Sequence, residues 1–499
     1  MKHTLGVLFV VLLAALPGWS QPAQPARIEL PLDSYNSEVR VQALPADSSL
    51  ILLVEQENLM SYRGTFSFRK YNRALEEVWT RPIDVPKEYA FSRLCAEGTN
   101  VYALFQSEYA PQRLWVASLD GRQGLIRAAS FDTRLSRDIF DLKALEGNLF
   151  VTVMVDRHLT VVFLDLKAGT MQFLPSVYEP MPAQLTFLAD STTKRAEFVM
   201  SQSNGYKSRL QVKQLSARGQ LLHSEFVQTE SERGLITAQI SPRADSTTRL
   251  LAGTYSLRDT RYSQGIFSAD LTAGTTPTGV RESLRFYDFI NLKHFFDFMK
   301  PAREERLRQR SARLRAEAKQ LRLRYRLLTH DLMPFQDGYV MVAEVYYPHY
   351  RYDTYGYGLM ASTRTFDGYR TTHAIVCGFD KKGNLLWDNA FVLKDVRNYN
   401  LVENVRVRPL PDGNRLVLAY LDEHRIRYKI IDRTVSSPND LDVPIVTSLK
   451  GAKEKPNSTT HEGLLSWYGS RFLAYGYQHV RPEKGSSRDV FFVNSVAFD

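Results

Sequence analysis

An all-β fold, closed into a propeller of seven or eight blades with eight favoured, is predicted by three observations. Short alternating apolar runs are separated by turn residues, one phrase returns near every fifty residues, and helical periodicity is confined to a single segment. The chain has 499 residues, 44% of them hydrophobic and 12% aromatic, enough to bury a large core and to exclude an intrinsically disordered protein. Its 27 Gly and 22 Pro do not recur at a three-residue period, which excludes a collagen.

Lys2 and His3 precede an apolar stretch from Leu5 to Leu16, followed by Pro17, Gly18, Trp19 and Ser20. That order, with small residues just before Gln21, predicts a secretory signal over residues 1–20. The apolar stretch falls well short of the roughly 20 residues that span a bilayer. No cysteine stands near the cleavage position, so a lipoprotein is excluded, and the expected compartment is periplasmic or extracellular. Cys95 and Cys377 are the only cysteines, each in a strand-like apolar run, and two buried free thiols are expected rather than one long-range bridge.

The repeated phrase opens with an apolar run, at Leu50–Val54, Val101–Phe105, Leu149–Val155, Glu197–Met200, Leu250–Tyr255, Tyr339–Val345, Leu416–Tyr420 and Phe472–Tyr475. Its second half carries a turn in which Asp or Ser leads to Gly, as in Asp165 to Gly169, Ser216 to Gly219 and Asp380 to Gly383. Glycine is expected there because tight turns demand positive φ, which a Cβ opposes. A hairpin sheet of about fifty residues cannot bury both faces by itself, so neighbouring sheets must stack around an axis. Two β-sandwiches in tandem, the competing layout, have no need of such a period. Arg27–Val41 supplies a strand that is expected to complete the blade of the C-terminal run Val490–Phe498. One propeller domain is thus predicted over 27–285 and 329–499.

The copy from Gly378 to Leu393, Gly-Phe-Asp-Lys-Lys-Gly-Asn-Leu-Leu-Trp-Asp-Asn-Ala-Phe-Val-Leu, resembles the repeat of quinoprotein-like propellers, in which an Asp turn, a Gly and a Trp close each blade. Phe68 to Trp79 is a looser version, while His223 and Phe173 stand near the Trp place elsewhere. The resemblance implies fold and carries no quinone site, so no cofactor is expected. The whole chain resembles uncharacterised secreted bacterial propeller proteins more than any assigned enzyme family.

Residues 286–328 break the β pattern. An aromatic stretch holding Phe286, Tyr287, Phe289, Phe295, Phe296 and Phe298 leads to Pro301, a favoured first helical residue. From Ala302 to Leu328 no Gly or Pro occurs, and Leu307, Leu314, Leu321 and Leu328 fall seven apart, predicting one amphipathic basic helix. Lys300 to Arg326 holds eleven Lys or Arg against three Asp or Glu; removing that surplus of eight leaves +2 of the chain's +10. The charge is therefore local, and nucleic acid is not an expected partner. Arg306, Arg310 and Arg313 are the residues expected to meet an acidic partner or an anionic membrane surface, against the plainer expectation of a solvated face.

No catalytic signature is present. His461 and Glu462 begin like a zinc-protease helix, but Leu465 occupies the place of the second histidine, and no other metal spacing occurs. Nucleophile elbows and phosphate loops are absent from the sequence. The candidate ligand surface is Tyr346, Tyr347, His349, Tyr350, Tyr352, Tyr355 and Tyr357, expected in a long insertion between Val345 and a strand near Thr372. Such rings offer flat apolar faces with a polar rim, suited to sugars, peptides or proteins. The expected function is non-enzymatic binding of a protein, peptide or glycan at the cell envelope. The alternative is a polysaccharide hydrolase or lyase using carboxylates gathered at the channel mouth.

Overall fold

Each of the eight opening runs becomes the second strand of an antiparallel sheet: Leu50–Asn58, Asn100–Ser107, Asn148–Val155, Arg195–Ser203, Leu250–Leu257, Gly338–Asp353, Leu416–Asp422 and Arg471–Pro482. That position has a hydrogen-bonded strand on either side and a neighbouring sheet against both faces, so side chains of both parities are buried and the run reads as continuously apolar. Leu50 to Val54 is wholly buried, whereas the fourth strand of the same sheet, Glu77–Ile83, is mostly exposed. In this computed structural model the described residues are 22–498, apart from 59–62, 134–137, 156–157, 179–182, 204–207, 230–231, 243–248, 275–282, 354–362, 439–440, 449–453 and 483–485.

The sheets are the blades of an eight-bladed propeller, numbered here along the chain: 37–83, 89–132, 139–173, 183–227, 233–288, 326–398, 406–444 and 454–497. Seven have four strands; blade 6 adds a short fifth, Met333–Phe335. Eight apolar clusters hold the ring, one at each junction between successive blades, including the junction of blade 8 with blade 1. Aromatic rings lock several of them, as where Phe66 of blade 1 meets Phe105 of blade 2 edge to face at 5.2 Å.

The ring closes with the N-terminal strand. Ala23–Leu30 pairs antiparallel with Arg488–Ala497 as the outer strand of blade 8. The single strand expected over Arg27–Val41 is in fact two, because Asp33 accepts hydrogen bonds from the backbone N–H groups of Tyr35 and Asn36 and turns the chain into Ser37–Ala43, the inner strand of blade 1. Gly169, Gly219 and Gly383 all sit at positive φ in third-to-fourth-strand turns, where Asp165 and Asp380 accept from backbone N–H groups two to four residues on. Gly378 lies under the indole of Trp387, and a Cβ there would stand 2.2 Å from a ring atom. Cys95 and Cys377 are free, Cys377 buried and Cys95 half-buried, and burial pushes both thiols up.

The insertion links blade 5 to blade 6 and corrects the helix prediction. The helix α1, Pro301–Ala316, ends far short of Leu328. Ala318 takes a left-handed φ of 53°, and Lys319 donates its N–H back to the Leu314 carbonyl, so the chain reverses there. Blade 6 needs an inner strand, and Arg326–Thr329 supplies it by pairing with Gly338–Asp353. That tertiary demand outweighs the helix propensity of residues 317–328. Phe289, Phe295 and Phe296 are fully buried between blades 5 and 6, beneath α1.

Candidate functional site

Antiparallel strands alternate direction, so the second-to-third-strand turn of a blade shares one face of the ring with the links between blades. Both surfaces predicted from the sequence therefore emerge on one face, at one blade. Arg326, where the insertion ends, is register partner to Tyr346, where the tyrosine-rich segment begins.

As far as Asp353 the tyrosine-rich segment is strand rather than loop. Gly338–Asp353 and Thr363–Asp380 run on as a paired ribbon beyond the neighbouring blades, with Leu385–Asn398 following as far as Tyr369. Tyr346 meets Tyr369 at 5.6 Å, Tyr369 meets Phe366 at 5.2 Å, and Phe366 meets Tyr350 at 5.8 Å and Tyr399 at 6.0 Å, all edge to face. The Arg364 guanidinium lies 3.7 Å over the Tyr350 ring. Tyr347 and Tyr399 are exposed, and His349 Nδ1 stands 3.3 Å from an Asp367 oxygen. Tyr352 lies on the ribbon backbone, opposite Arg364, while Tyr355 and Tyr357 lie outside the described residues. Phe366, Tyr369 and Tyr399 belong to the same strip, although they are distant in sequence from the Tyr346–Tyr357 cluster.

Beside the ribbon, the insertion forms a groove of about 450 Å³. Arg303, Arg306 and Arg310 reach it from one side of α1, and Arg322 and Arg324 from the returning segment. Its remaining lining is Met299, Leu307, Leu323 and Tyr325. Burial raises the Tyr325 phenol to about 12, with Arg303 partly offsetting it, so that hydroxyl stays protonated. Arg313 is exposed on the next turn and does not line the groove.

Other arginines of the insertion are structural. Arg308 pairs with Glu304 at 2.8 Å and donates to the carbonyls of Ile290 and Leu292 at 2.6 and 3.0 Å, fastening α1 to the aromatic wedge. The returning segment is held equally firmly: Gln264 donates to the Leu323 carbonyl at 2.6 Å and accepts from its N–H at 2.8 Å, and Ser263 N–H donates to the Tyr325 carbonyl. No ion pair is formed by any of the five groove arginines among the described residues. Glu232 and Asp259 feel Arg322 and Arg324, but each carboxylate is already held by another arginine, Arg258 at 2.8 Å and Arg261 at 2.9 Å.

Two further features bear on chemistry. Glu344, buried at the base of the ribbon, accepts from His330 Nε2 at 3.0 Å and from the backbone N–H groups of Asn404 and Val405 at 2.7 and 2.8 Å, latching blade 6 to the link into blade 7. Glu462 sits on a bulge of the inner strand of blade 8. Burial lifts its carboxyl to about 7, a backbone hydrogen bond at Glu423 opposes that, and the charges of Asp422 and Glu423 add to it. Among the described residues no group of three or more His, Cys, Asp or Glu is placed to hold a metal ion. A larger open groove on the opposite face, near 920 Å³, mixes Arg127, Lys167 and Arg218 with Asp120 and Asp165, and its Lys194 and Glu146 pair at 3.2 Å.

No protein-family model matches the chain, and no curated protein is similar to it in sequence. Some solved structures are similar to it at low identity. The polysaccharide lyase Uly1 has a TM-score of 0.41 at 8% identity, over 82% of this chain and 90% of that one. A quinohemoprotein alcohol dehydrogenase from Pseudomonas putida has 0.44 at 10%, over 96% and 76%. The Dos1 propeller has 0.42 at 11%, over 95% of each chain. At this distance the functions of these proteins, which differ among themselves, do not transfer.

Proposed function

We propose that this chain is an exported propeller that recognises a protein, peptide or glycan at the cell envelope without transforming it, through the face shared by the insertion and the blade 6 ribbon. The observation that carries this reading is the convergence of two unlike surfaces, a rim of guanidiniums without carboxylate partners among the described residues and a strip of aromatic rings, at the Arg326–Tyr346 pair. The predicted signal over residues 1–20 supports the compartment. Rings supply contact area at low entropic cost, and arginines supply directed charge; together they suit recognition. The test is binding of isolated envelope material to the immobilised mature protein. Tyr347→Ala with Tyr350→Ala, or Arg306→Gln with Arg310→Gln, should abolish it while thermal unfolding stays unchanged. Full binding by both variants would refute the role of this face.

One observation favours a second reading, a polysaccharide hydrolase or lyase. Burial raises the Glu462 carboxyl to about 7, in the range where a general acid works at neutral pH. A glycan-degradation screen decides between the two: turnover by the purified protein that Glu462→Gln removes would establish catalysis, and no turnover would leave recognition.

A further inference from the structure

We propose that the arginine groove seats a segment of anionic glycan, with sulfate or uronate carboxylate groups on its guanidiniums. This deepens the recognition reading above and rests on it. The first ground is charge. Five guanidiniums converge on about 450 Å³ with no carboxylate bound to any of them among the described residues, although Arg308, Arg258 and Arg261 nearby all have partners. Gathering like charges is unfavourable, the nearby carboxylates of Glu232 and Asp259 are already held by Arg258 and Arg261, and a multiply charged anion seated among the five would relieve the repulsion.

The second ground is the identity of the cations. All five are arginine and none is lysine, and the planar fork of arginine matches a sulfate or carboxylate with two parallel hydrogen bonds. Arg303 to Arg310 spans seven helical residues, roughly 10 Å at about 1.5 Å per residue, so the row meets several charged groups in succession rather than one ion. The third ground is what the groove withholds. Strand addition by an extended peptide depends on free main-chain groups, but the Leu323 N–H, the Leu323 carbonyl and the Tyr325 carbonyl are already bonded to Gln264 and Ser263; an acidic peptide held by its side chains alone is tested with poly-L-glutamate. A membrane needs a protruding apolar face, whereas Phe289, Phe295 and Phe296 are buried and the apolar residues Met299, Leu307, Leu323 and Tyr325 lie in the groove. That apolar lining with a phenol in it suits the C–H face of a sugar ring beneath its charged substituents.

The mature protein should be titrated with a heparin-derived hexasaccharide and with oligogalacturonate of the same length, in parallel with neutral dextran, poly-L-glutamate and phosphatidylglycerol vesicles. One or both anionic glycans should bind, the sulfated and carboxylated arms showing which charge is preferred, and dextran should not. Arg303→Gln with Arg306→Gln and Arg310→Gln, and separately Arg322→Gln with Arg324→Gln, should each weaken binding at least tenfold. Arg313→Gln, on the same helix outside the groove, should weaken it less than twofold. All six residues are exposed, and unchanged thermal unfolding will verify the fold. The proposal falls if neither anionic glycan binds, if Arg313→Gln is as costly as the groove variants, or if poly-L-glutamate or vesicles bind more tightly than the glycans and are released by the same variants. If Tyr347→Ala with Tyr350→Ala abolishes glycan binding while both groove variants retain it, the groove proposal fails and recognition by this face survives.

Discussion

Closure of the ring by the N-terminal strand gathers on one side chain. Arg27 is almost fully buried and donates to Glu29 Oε1 at 2.9 Å, the Val446 carbonyl at 3.0 Å, Asn494 Oδ1 at 2.8 Å and Gln478 Oε1 at 3.0 Å, with the Phe492 ring 4.8 Å away. Arg27→Met keeps the stem and removes the guanidinium. Glu29 keeps Arg488 at 3.0 Å on its other oxygen, Oε2, and its partly exposed carboxylate lets water replace the bond to Oε1, while the Val446 carbonyl retains Asn494 Nδ2 at 2.8 Å, so neither group is left buried and unpaired. Asn494 Oδ1 and Gln478 Oε1, on residues with essentially no exposure, lose this donor. At about 1–3 kcal/mol for each buried acceptor left unpaired, the loss is about 2–6 kcal/mol, a large share of the ~5–15 kcal/mol that holds a folded protein. Urea unfolding followed by tryptophan fluorescence reads it, since Trp467 is buried in the cluster joining blade 8 to blade 1. Hydrogen exchange should accelerate first in Arg488–Ala497, the partner of the closing strand. A loss below about 1 kcal/mol with unchanged exchange there would refute the closing role of Arg27.

Three other outcomes follow from local geometry. Gly378→Ala places a Cβ against Trp387 and should cost about 1–3 kcal/mol; Trp387→Leu in the same chain should recover most of it, and denaturation midpoints of the single and double variants measure both. Burial alone would lower the His330 pKa, but its hydrogen bond to Glu344 and the charges of Glu403 and Glu344 raise it overall. The charged pair thus stabilises the fold fully below a pH of about 6.5, and that contribution is lost as pH rises through the higher folded value. Thermal midpoints from acid to alkaline pH should decline more steeply for the natural chain than for His330→Gln, and parallel profiles would exclude the pair as the cause. His373 lies stacked on Phe298 at 4.1 Å, its Nε2 buried without a partner, and burial pushes its pKa down to about 3. His373→Phe should therefore raise the midpoint by about 1 kcal/mol of stability, the orphaned nitrogen outweighing the lost contact with Thr372 at 3.0 Å.

The opening runs were legible because the second strand of a blade is enclosed on all sides and its sequence is apolar at both parities. The ribbon was not legible, for the opposite reason. Past Val345 the strands run beyond the neighbouring blades, most side chains are only half-buried or exposed, and little enforces the alternation that marks a half-buried strand. The end of α1 was hidden by propensity: residues 317–328 favour a helix locally, and only the need for an inner strand in blade 6 overrides that. A signal was nonetheless available in Arg322-Leu323-Arg324-Tyr325-Arg326-Leu327, which alternates at period two and whose Leu323 and Leu327 are buried. That alternation places Arg322 and Arg324 on one side of the chain, and both line the groove.

The burial of the aromatic wedge also determines how the insertion contributes to binding. Had Phe289, Phe295 and Phe296 faced outward, α1 would offer both an apolar and a cationic surface, and binding would persist in high salt. They are instead part of the core between blades 5 and 6, so the helix meets solvent chiefly with charge. Interactions of exposed charges fade as the Debye length contracts from about 10 Å at 0.1 M salt to about 3 Å at 1 M. Attraction at the groove should accordingly weaken steeply with ionic strength, while contacts made by the ribbon rings, which depend on apolar area, should not. Measuring envelope binding across that range with Arg303, Arg306 and Arg310 intact or changed to Gln separates the two contributions. A salt dependence that survives loss of all three arginines would mean that the charge responsible lies elsewhere on the ring.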